Sequence, residues 1–287
     1  MTLDAPAASP FAPAPRGTGA MPFVDLSVRA DLENPHALRE HLGALLEFGY
    51  GVVVTDARVA AGERNVGAAL RSGLAPVPDD VLAAVAADAR ASGARPRLDR
   101  ASRLTLVFAE PAELQEVLAK HDELVRRYDV LALEPTSERA FASACANRRA
   151  DVLAVDLGAR PAFRARAPAL RAACARGACV EISYNPALSL DPARRRNFFA
   201  NAAQLARLVG PGAGGGAGAG ADASAGGGVV IAGGSRAAAE LRGPYDVANL
   251  ATLFGMKDEQ ARAAMSTRAV ALLTRAAAKR RIERGER

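Results

Sequence analysis

Seven short apolar segments, four to seven residues long, recur along the chain and alternate with segments of helical periodicity. They lie at residues 23–28, 51–56, 103–108, 129–135, 151–157, 179–184 and 229–232. Near-continuous Val, Ile and Leu are typical of strands covered on both faces, as in parallel sheets. Strands that alternate with helices build a parallel α/β fold. We therefore predict a closed or nearly closed parallel α/β barrel. An open doubly wound sheet is the alternative, because periodicity does not show closure.

Helical segments fill most of the intervals between these strands. They are predicted at residues 35–48, 79–91, 111–121, 138–147, 168–176, 192–209 and 265–287. The remainder of 57–100 carries no clear pattern and is left unassigned. The last helix runs into the basic cluster 279–281, which is consistent with a localisation signal, an RNA-binding tail or a solvated helix end.

A further helix is predicted within residues 242–255. Gly243 suits its N-cap and Pro244 its first position, where the missing N–H costs nothing. Helical spacing predicts an inward face composed of Val247, Leu250, Ala251, Leu253 and Phe254. Arg242 and Tyr245 then remain outside, at the mouth of the turn that precedes the helix.

Composition divides the 287 residues into one folded domain and three flanking or inserted segments. The Ala/Pro-rich arm 1–21 is predicted to be disordered, because such sequence buries too little surface to offset its ordering entropy. The domain spans 22–281 and contains a Gly/Ala tract, 210–228, with the composition of a flexible insertion. Residues 282–287 form a short basic tail.

Several protein classes are disfavoured by the composition. The three cysteines form no CxxC pair and no disulfide framework, which favours a reducing compartment. The apolar runs are shorter than the ~20 residues of a membrane helix. The first twenty residues also lack the pattern of a secretory signal. We expect a soluble intracellular protein with no membrane partner.

Acidic residues recur at the predicted strand ends, where catalytic groups gather in barrels. They are Asp25, Asp56, Glu134, Asp156 and Glu181. Such carboxylates are ligands for Mg²⁺, but a hydrolytic metal site usually adds histidines. The only histidines are His36, His41 and His121, and all three fall on predicted helices without an HxH pair. We therefore expect no metal, no catalytic residue and no cofactor, and assign the carboxylates to caps and turns.

Arginine carries the strongest signal for a partner. The formal charge is +6, and residues 158–209 hold nine arginines against Glu181 and Asp191. Arginine suits bidentate phosphate contacts and stacking on bases, although a solvated helix face is the alternative. The predicted RNA-binding residues are Arg164, Arg166, Arg176, Arg194, Arg195, Arg196 and Arg242. The turn Gly233-Gly234-Ser235, which follows the last strand, is a candidate anion site built from backbone N–H groups.

Several sequence blocks resemble one family, the thirty-kilodalton protein subunit of ribonuclease P that is shared with RNase MRP. They are 23–26 (FVDL), 128–135 (YDVLALEP), Phe141 with Ala144-Cys145, 151–153 (DVL), 176–184 (RGACVEISY) and 242–250 (RGPYDVANL). The resemblance extends from about Met21 to the C-terminal helix, and the last block is the most family-specific. The turn at 232–235 (AGGS) departs from the Ser-Ser-Gly type of the family, and the Gly/Ala tract is longer than usual.

The resemblance implies a single-domain, TIM-barrel-like (PHP-like) fold, a parallel barrel with surrounding helices. This fold is related to the polymerase and histidinol phosphatase (PHP) metallohydrolases but lacks their metal-binding histidines. It implies a non-catalytic, RNA-binding subunit of the particle that removes 5′ leaders from precursor tRNA. The implied partners are RNase P RNA, a small pairing subunit and other protein subunits, with precursor tRNA contacted indirectly. RNase MRP RNA and a nuclear, nucleolar location are part of the same expectation.

Two other functions stay open at this stage. The first is a TIM-barrel metal-dependent phosphoesterase that uses the strand-end carboxylates. The second is a protein-only assembly hub whose basic surface serves localisation and not RNA contact.

Overall fold

The computed structural model describes residues 21–29, 34–75, 77–91, 98–209 and 227–285. The predictions for arm 1–21 and for tract 210–228 lie almost entirely outside these residues, as do the last two residues of the basic tail. Among the described residues, no helix combines the length and the apolar character needed to cross a bilayer.

Seven parallel strands form one sheet in sequential order, at each of the seven predicted positions. They are β1 (Phe23–Val28), β2 (Tyr50–Ala60), β3 (Asp99–Phe108), β4 (Val130–Pro135), β5 (Val152–Leu153), β6 (Cys179–Ser183) and β7 (Val229–Ala232). The sheet closes just beyond β7, where Gly234 donates its N–H to the Ser27 carbonyl at 2.8 Å. The Arg29 N–H donates to the Ser235 carbonyl, also at 2.8 Å. The nearly closed barrel is therefore confirmed, and the open-sheet alternative is wrong.

Eleven α-helices among the described residues surround the barrel. They are α1 (Pro35–Glu47), α2 (Val66–Ser72), α3 (Asp79–Ala91), α4 (Pro111–Lys120), α5 (Asp122–Arg127), α6 (Glu138–Ala146), α7 (Ala167–Ala175), α8 (Pro192–Val209), α9 (Pro244–Thr252), α10 (Asp258–Met265) and α11 (Thr267–Arg284). The predicted helices are all present, whereas α2, α5 and α10 were not predicted. Each of these three has eight residues or fewer, which is too short for a clear periodicity.

The fifth strand is much shorter than the predicted 151–157. Only Val152 and Leu153 pair with both neighbouring strands. Beyond them, the Asp156 side chain accepts the Gly158 N–H at 2.9 Å. This local turn, which competes with strand pairing, carries the chain out of the sheet. β2 and β3 are instead longer than predicted and extend into the unassigned stretch 57–100.

Helix α11 covers the amino end of the barrel. Its residues Val270 and Leu273 pack against Val24, Val130 and other apolar side chains near the starts of the strands. The sequence predicts this helix but not the part of the barrel against which it packs. The inside of the barrel is therefore apolar at its amino end, and the polar residues are left to the carboxyl end.

The segment before α9 spans the seam between β1 and β7. The Tyr50 hydroxyl on β2 donates to the Arg242 carbonyl, and the Arg242 N–H donates to the Tyr184 hydroxyl beyond β6, both at 3.1 Å. Gly243 is the N-cap of α9 and Pro244 its first residue, as predicted. The predicted inward face is wrong only at Leu253, which is 70% exposed. At about 100° per residue, this position lies on the flank of the helix and not in line with Val247 and Ala251.

Candidate functional site

The acidic residues of the strand ends are brought together at the carboxyl end of the barrel. Asp25, Asp56, Glu134 and Glu181 are buried, because alternate residues of a strand point into the barrel. Asp156 differs from them: its side chain is 48% exposed, since the chain has already left the sheet at that point.

Arg103, which no pattern in the sequence marks as a functional residue, lies at the centre of this group. Its side chain is fully buried and forms an ion pair with Glu181 through Nη1, while Nη2 donates to Oε1 at 3.2 Å. Nη1 also donates to the Leu26 carbonyl, and Nε donates to Thr105 Oγ1, both at 3.0 Å. Asp56 lies 3.5 Å from Nε. Burial lowers the pKa of Arg103, but Asp56 and Glu181 outweigh it, so the pKa is raised and the side chain stays charged.

The neighbouring carboxylates are also paired. Asp56 accepts hydrogen bonds from Ser27 Oγ and Thr105 Oγ1, both at 2.6 Å. Arg58 makes a bidentate pair with Glu134 at 2.9 and 2.6 Å. Arginines thus already neutralise the buried carboxylates that a hard cation would need. The described residues contain no cluster of three or more His, Cys, Asp or Glu side chains arranged to hold a metal ion.

Asp25 is the exception within the group. Its Oδ1 accepts the N–H groups of Gly233 at 2.9 Å and Ser27 at 3.0 Å, whereas Oδ2 is buried without a hydrogen-bond partner. Burial raises the pKa of this carboxyl to about 6. The carboxyl therefore favours its neutral form and is a poor cation ligand at mildly acidic pH.

The histidines and cysteines lie in different surroundings, and only His41 and the three cysteines are buried. His36 is exposed, and His121 lines a separate groove beside α2 and α4. His41 is buried with Nε2 3.0 Å from Ser235 Oγ, and burial lowers its pKa. All three cysteines are free and buried. Burial raises the pKa of Cys145 to about 12, which disfavours a thiolate nucleophile.

The candidate anion turn is used to close the barrel. Gly233 donates its N–H to Asp25, and Gly234 donates to Ser27. Gly234 has φ +66°, and a Cβ there would lie 2.3 Å from Ser183 Oγ. The two glycine N–H groups that the predicted anion site requires are therefore already engaged within the chain.

Five of the seven predicted RNA-binding arginines lie in the connections that leave the carboxyl ends of β5 and β6. They are Arg164, Arg166, Arg194, Arg195 and Arg196. Arg164, Arg166, Arg194 and Arg196 are exposed, whereas Arg195 is half-buried and donates to the Ser189 carbonyl at 2.5 Å. Arg166 pairs with Glu138, and both lie with Arg164 along a groove of about 520 Å³.

The other two predicted arginines lie elsewhere and have local partners. Arg176 is at the C-cap of α7, on the amino side of the barrel, and bonds the carbonyls of Ala172 and Cys145. Arg242 donates from Nη1 to the carbonyls of Ala239, at 2.9 Å, and Leu241. Neither side chain lines the groove that holds Arg164 and Arg166.

Three further arginines join Arg194 at the mouth of the barrel. Arg29, Arg58 and Arg236 line with it a cavity of about 200 Å³. Arg29 and Arg236 each follow the end of a predicted strand by one to four residues. This spacing could have identified both residues in the sequence, because the connections after parallel strands converge on one rim of the barrel.

Comparisons with known proteins give a consistent result. A family model described as RNase P subunit p30 matches residues 22–281. The ribonuclease P protein subunit p30 of Mus musculus is 31% identical over 166 residues, which cover 58% of this chain and 56% of the mouse protein. The ribonuclease P protein subunit drpp30 of Dictyostelium discoideum is 28% identical over 165 residues, 58% of this chain and 40% of that protein. The match thus spans about half the length of these curated relatives.

The barrel also resembles a solved structure. A chain in the cryo-EM structure of archaeal ribonuclease P with mature tRNA matches with a TM-score of 0.57 at 14% identity. The match covers 90% of this chain and 91% of that chain. At this level of identity, the likeness establishes a common fold.

Proposed function

This chain belongs to the RNase P subunit p30 family, and we propose that it is a non-catalytic, RNA-binding subunit of the ribonuclease P ribonucleoprotein. In that role it supports the removal of 5′ leaders from precursor tRNA. RNase P RNA is its direct RNA partner, and precursor tRNA is contacted through the particle. The names of its curated relatives support this assignment, as does a shared fold with a chain of an archaeal ribonuclease P that holds mature tRNA.

The observation that carries the non-catalytic part of the proposal is the position of Arg103. Its guanidinium pairs with both Asp56 and Glu181, two of the carboxylates that would otherwise be free to bind a hard cation. A buried, fully bonded arginine cannot leave this site without a large cost in folding free energy. The metal-dependent phosphoesterase therefore has no observation in its favour.

The RNA-binding part rests on the exposed arginines of the carboxyl end. Arg164, Arg194 and Arg196 expose their side chains around the same end of the barrel. Guanidinium groups bind phosphate oxygens and release counterions, so affinity for RNA falls steeply as salt rises. Assembly also involves other protein subunits, including a small one that pairs with this chain. RNase MRP RNA and a nucleolar location belong to the same proposal.

Reconstitution with RNase P RNA tests the proposal. The double charge reversal Arg194→Glu with Arg196→Glu should weaken RNA binding at least tenfold. It should also reduce the slope of log affinity against log salt concentration by about two, which corresponds to two released counterions. The matched control is Arg100→Glu with Arg90→Glu, which reverses two exposed arginines away from the carboxyl end. Equal losses for the two pairs, or binding that salt does not change, would contradict the proposed interface.

The same preparation tests the competing enzyme. The purified chain with Mg²⁺ or Mn²⁺ should show no phosphoesterase turnover above that of the Asp56→Asn variant. Metal-dependent turnover that Asp56→Asn abolishes would overturn the non-catalytic assignment and restore the phosphoesterase.

A further inference from the structure

The cavity at the mouth of the barrel has an unusual balance of charges. Besides its four arginines, it is lined by Glu134, Asp156, Glu181 and the polar side chains of Ser183 and Asn185. Its volume of about 200 Å³ exceeds that of a few water molecules. It is therefore large enough to admit a small polyatomic anion.

Most of the negative charge around this cavity is already neutralised. Glu134 accepts both hydrogen bonds of the bidentate pair with Arg58. Glu181 is paired with Arg103, on the inner side of the cavity. Two of the three lining carboxylates thus have an arginine of their own.

Two of the three remaining guanidinium groups form only long ion pairs, without a close hydrogen bond to the carboxylate. Arg29 Nε lies 3.6 Å from Asp56 Oδ2 and is buried without a hydrogen-bond acceptor. Arg194 Nη2 lies 3.8 Å from Asp156 Oδ1. Among the described residues the Arg236 guanidinium forms no salt bridge, although the Arg236 backbone N–H donates to Glu240 Oε2 at 2.7 Å. Guanidinium groups with long ion pairs or none, gathered around one cavity, favour an anion with several acceptor oxygens.

We propose that this cavity is a binding site for a phosphate group, held by Arg29, Arg194 and Arg236. A tetrahedral phosphate offers enough oxygens to accept from all three side chains and gives the buried Arg29 Nε the acceptor it lacks. Two sources present this chemistry: the backbone of an RNA strand and a small phosphate ester. The site itself does not depend on the RNase P assignment, because both sources carry the same group.

Titration of the full chain with inorganic phosphate tests the site, with sodium chloride adjusted to keep ionic strength constant. We expect saturable binding by ³¹P NMR or calorimetry, weakened about tenfold in Arg236→Gln and in Arg194→Gln. The matched control, Arg100→Gln at the amino end of β3, should bind as the parent does. Because Arg194 is 45% exposed and Arg236 is exposed, neither change should alter the thermal unfolding midpoint.

Three outcomes would overturn the proposal: phosphate binding that does not saturate, equal weakening by Arg100→Gln, or an effect that chloride reproduces at the same ionic strength.

A competition experiment with RNase P RNA then identifies the source of the phosphate group. Displacement of phosphate by RNA assigns the site to an RNA backbone phosphate. Continued phosphate binding on the RNA-bound protein assigns it to a small ester, and both results support the site. Phosphate binding without RNA assembly would refute only the proposed function.

Discussion

The barrel buries one arginine at each of its ends, and the two surroundings differ. At the amino end, Arg280 of α11 is 1% exposed and bonds Asp151, Glu283 and the Tyr128 carbonyl. Lys279 adds a second bond to Asp151 at 2.6 Å. At the carboxyl end, Arg103 is equally buried, but its partner Glu181 also lines the cavity at the mouth, together with four other arginines.

Arginine thus has a structural role at the amino end of the barrel, whereas at the carboxyl end several arginines expose their charge. In the basic cluster 279–281, Lys279 and Arg280 anchor α11 by pairing with Asp151. The mouth carries arginines that are scattered in the sequence and meet only in the fold. Buried pairing, rather than local charge density, separates the two roles.

The largest expected effect is at Arg103. Arg103→Met leaves Asp56 and Glu181 buried without their cation, so the free energy of unfolding should fall by about 3–5 kcal/mol in urea denaturation. Arg100→Met, on the same strand but exposed, should change it by less than about 0.5 kcal/mol. Adding Glu181→Gln to Arg103→Met should recover part of the loss. A loss below about 1 kcal/mol would show that the carboxyl end does not depend on this pairing.

The second effect concerns Asp25, the buried carboxyl at this end without an arginine partner. Burial raises its pKa from 3.8 to about 6, so folding favours the protonated form. Its stabilising contribution is complete below pH 3.8 and is lost as pH rises through 6. Between pH 4 and pH 8, the parent should therefore lose about 2 kcal/mol relative to Asp25→Asn. Parallel pH profiles for the two proteins would contradict the raised pKa.

The smallest effect is expected at the amino end. Arg280→Met removes a buried cation, but Asp151 keeps Lys279 and Glu283 is partly hydrated. The free energy of unfolding should therefore fall by only about 1–2 kcal/mol. The control Arg281→Met, at the adjacent half-buried position, should leave it within about 0.5 kcal/mol. A loss as large as that of Arg103→Met would remove the contrast between the two ends.

Much of the fold could be predicted because its signals are local. The seven strands and the Gly243-Pro244 start of α9 follow from apolar runs and capping chemistry that neighbouring residues determine. The site was predicted only in part. The position of the carboxylates at strand ends predicts that they lie together. Arg103 is the first residue of a predicted strand, and nothing near it in the sequence indicates that its side chain is buried.

The sequence by itself determined the order of strands and helices, since hydrophobic period and turn chemistry act over a few residues. Tertiary structure alone decided which charges are neutralised. Arg103 meets Glu181 across 78 residues, and Arg280 meets Asp151 across 129. Closure between Gly234 and Ser27 likewise joins the two ends of the sheet. Such pairings depend on the burial of the side chains and on the distance between them. Both are set only when the barrel closes.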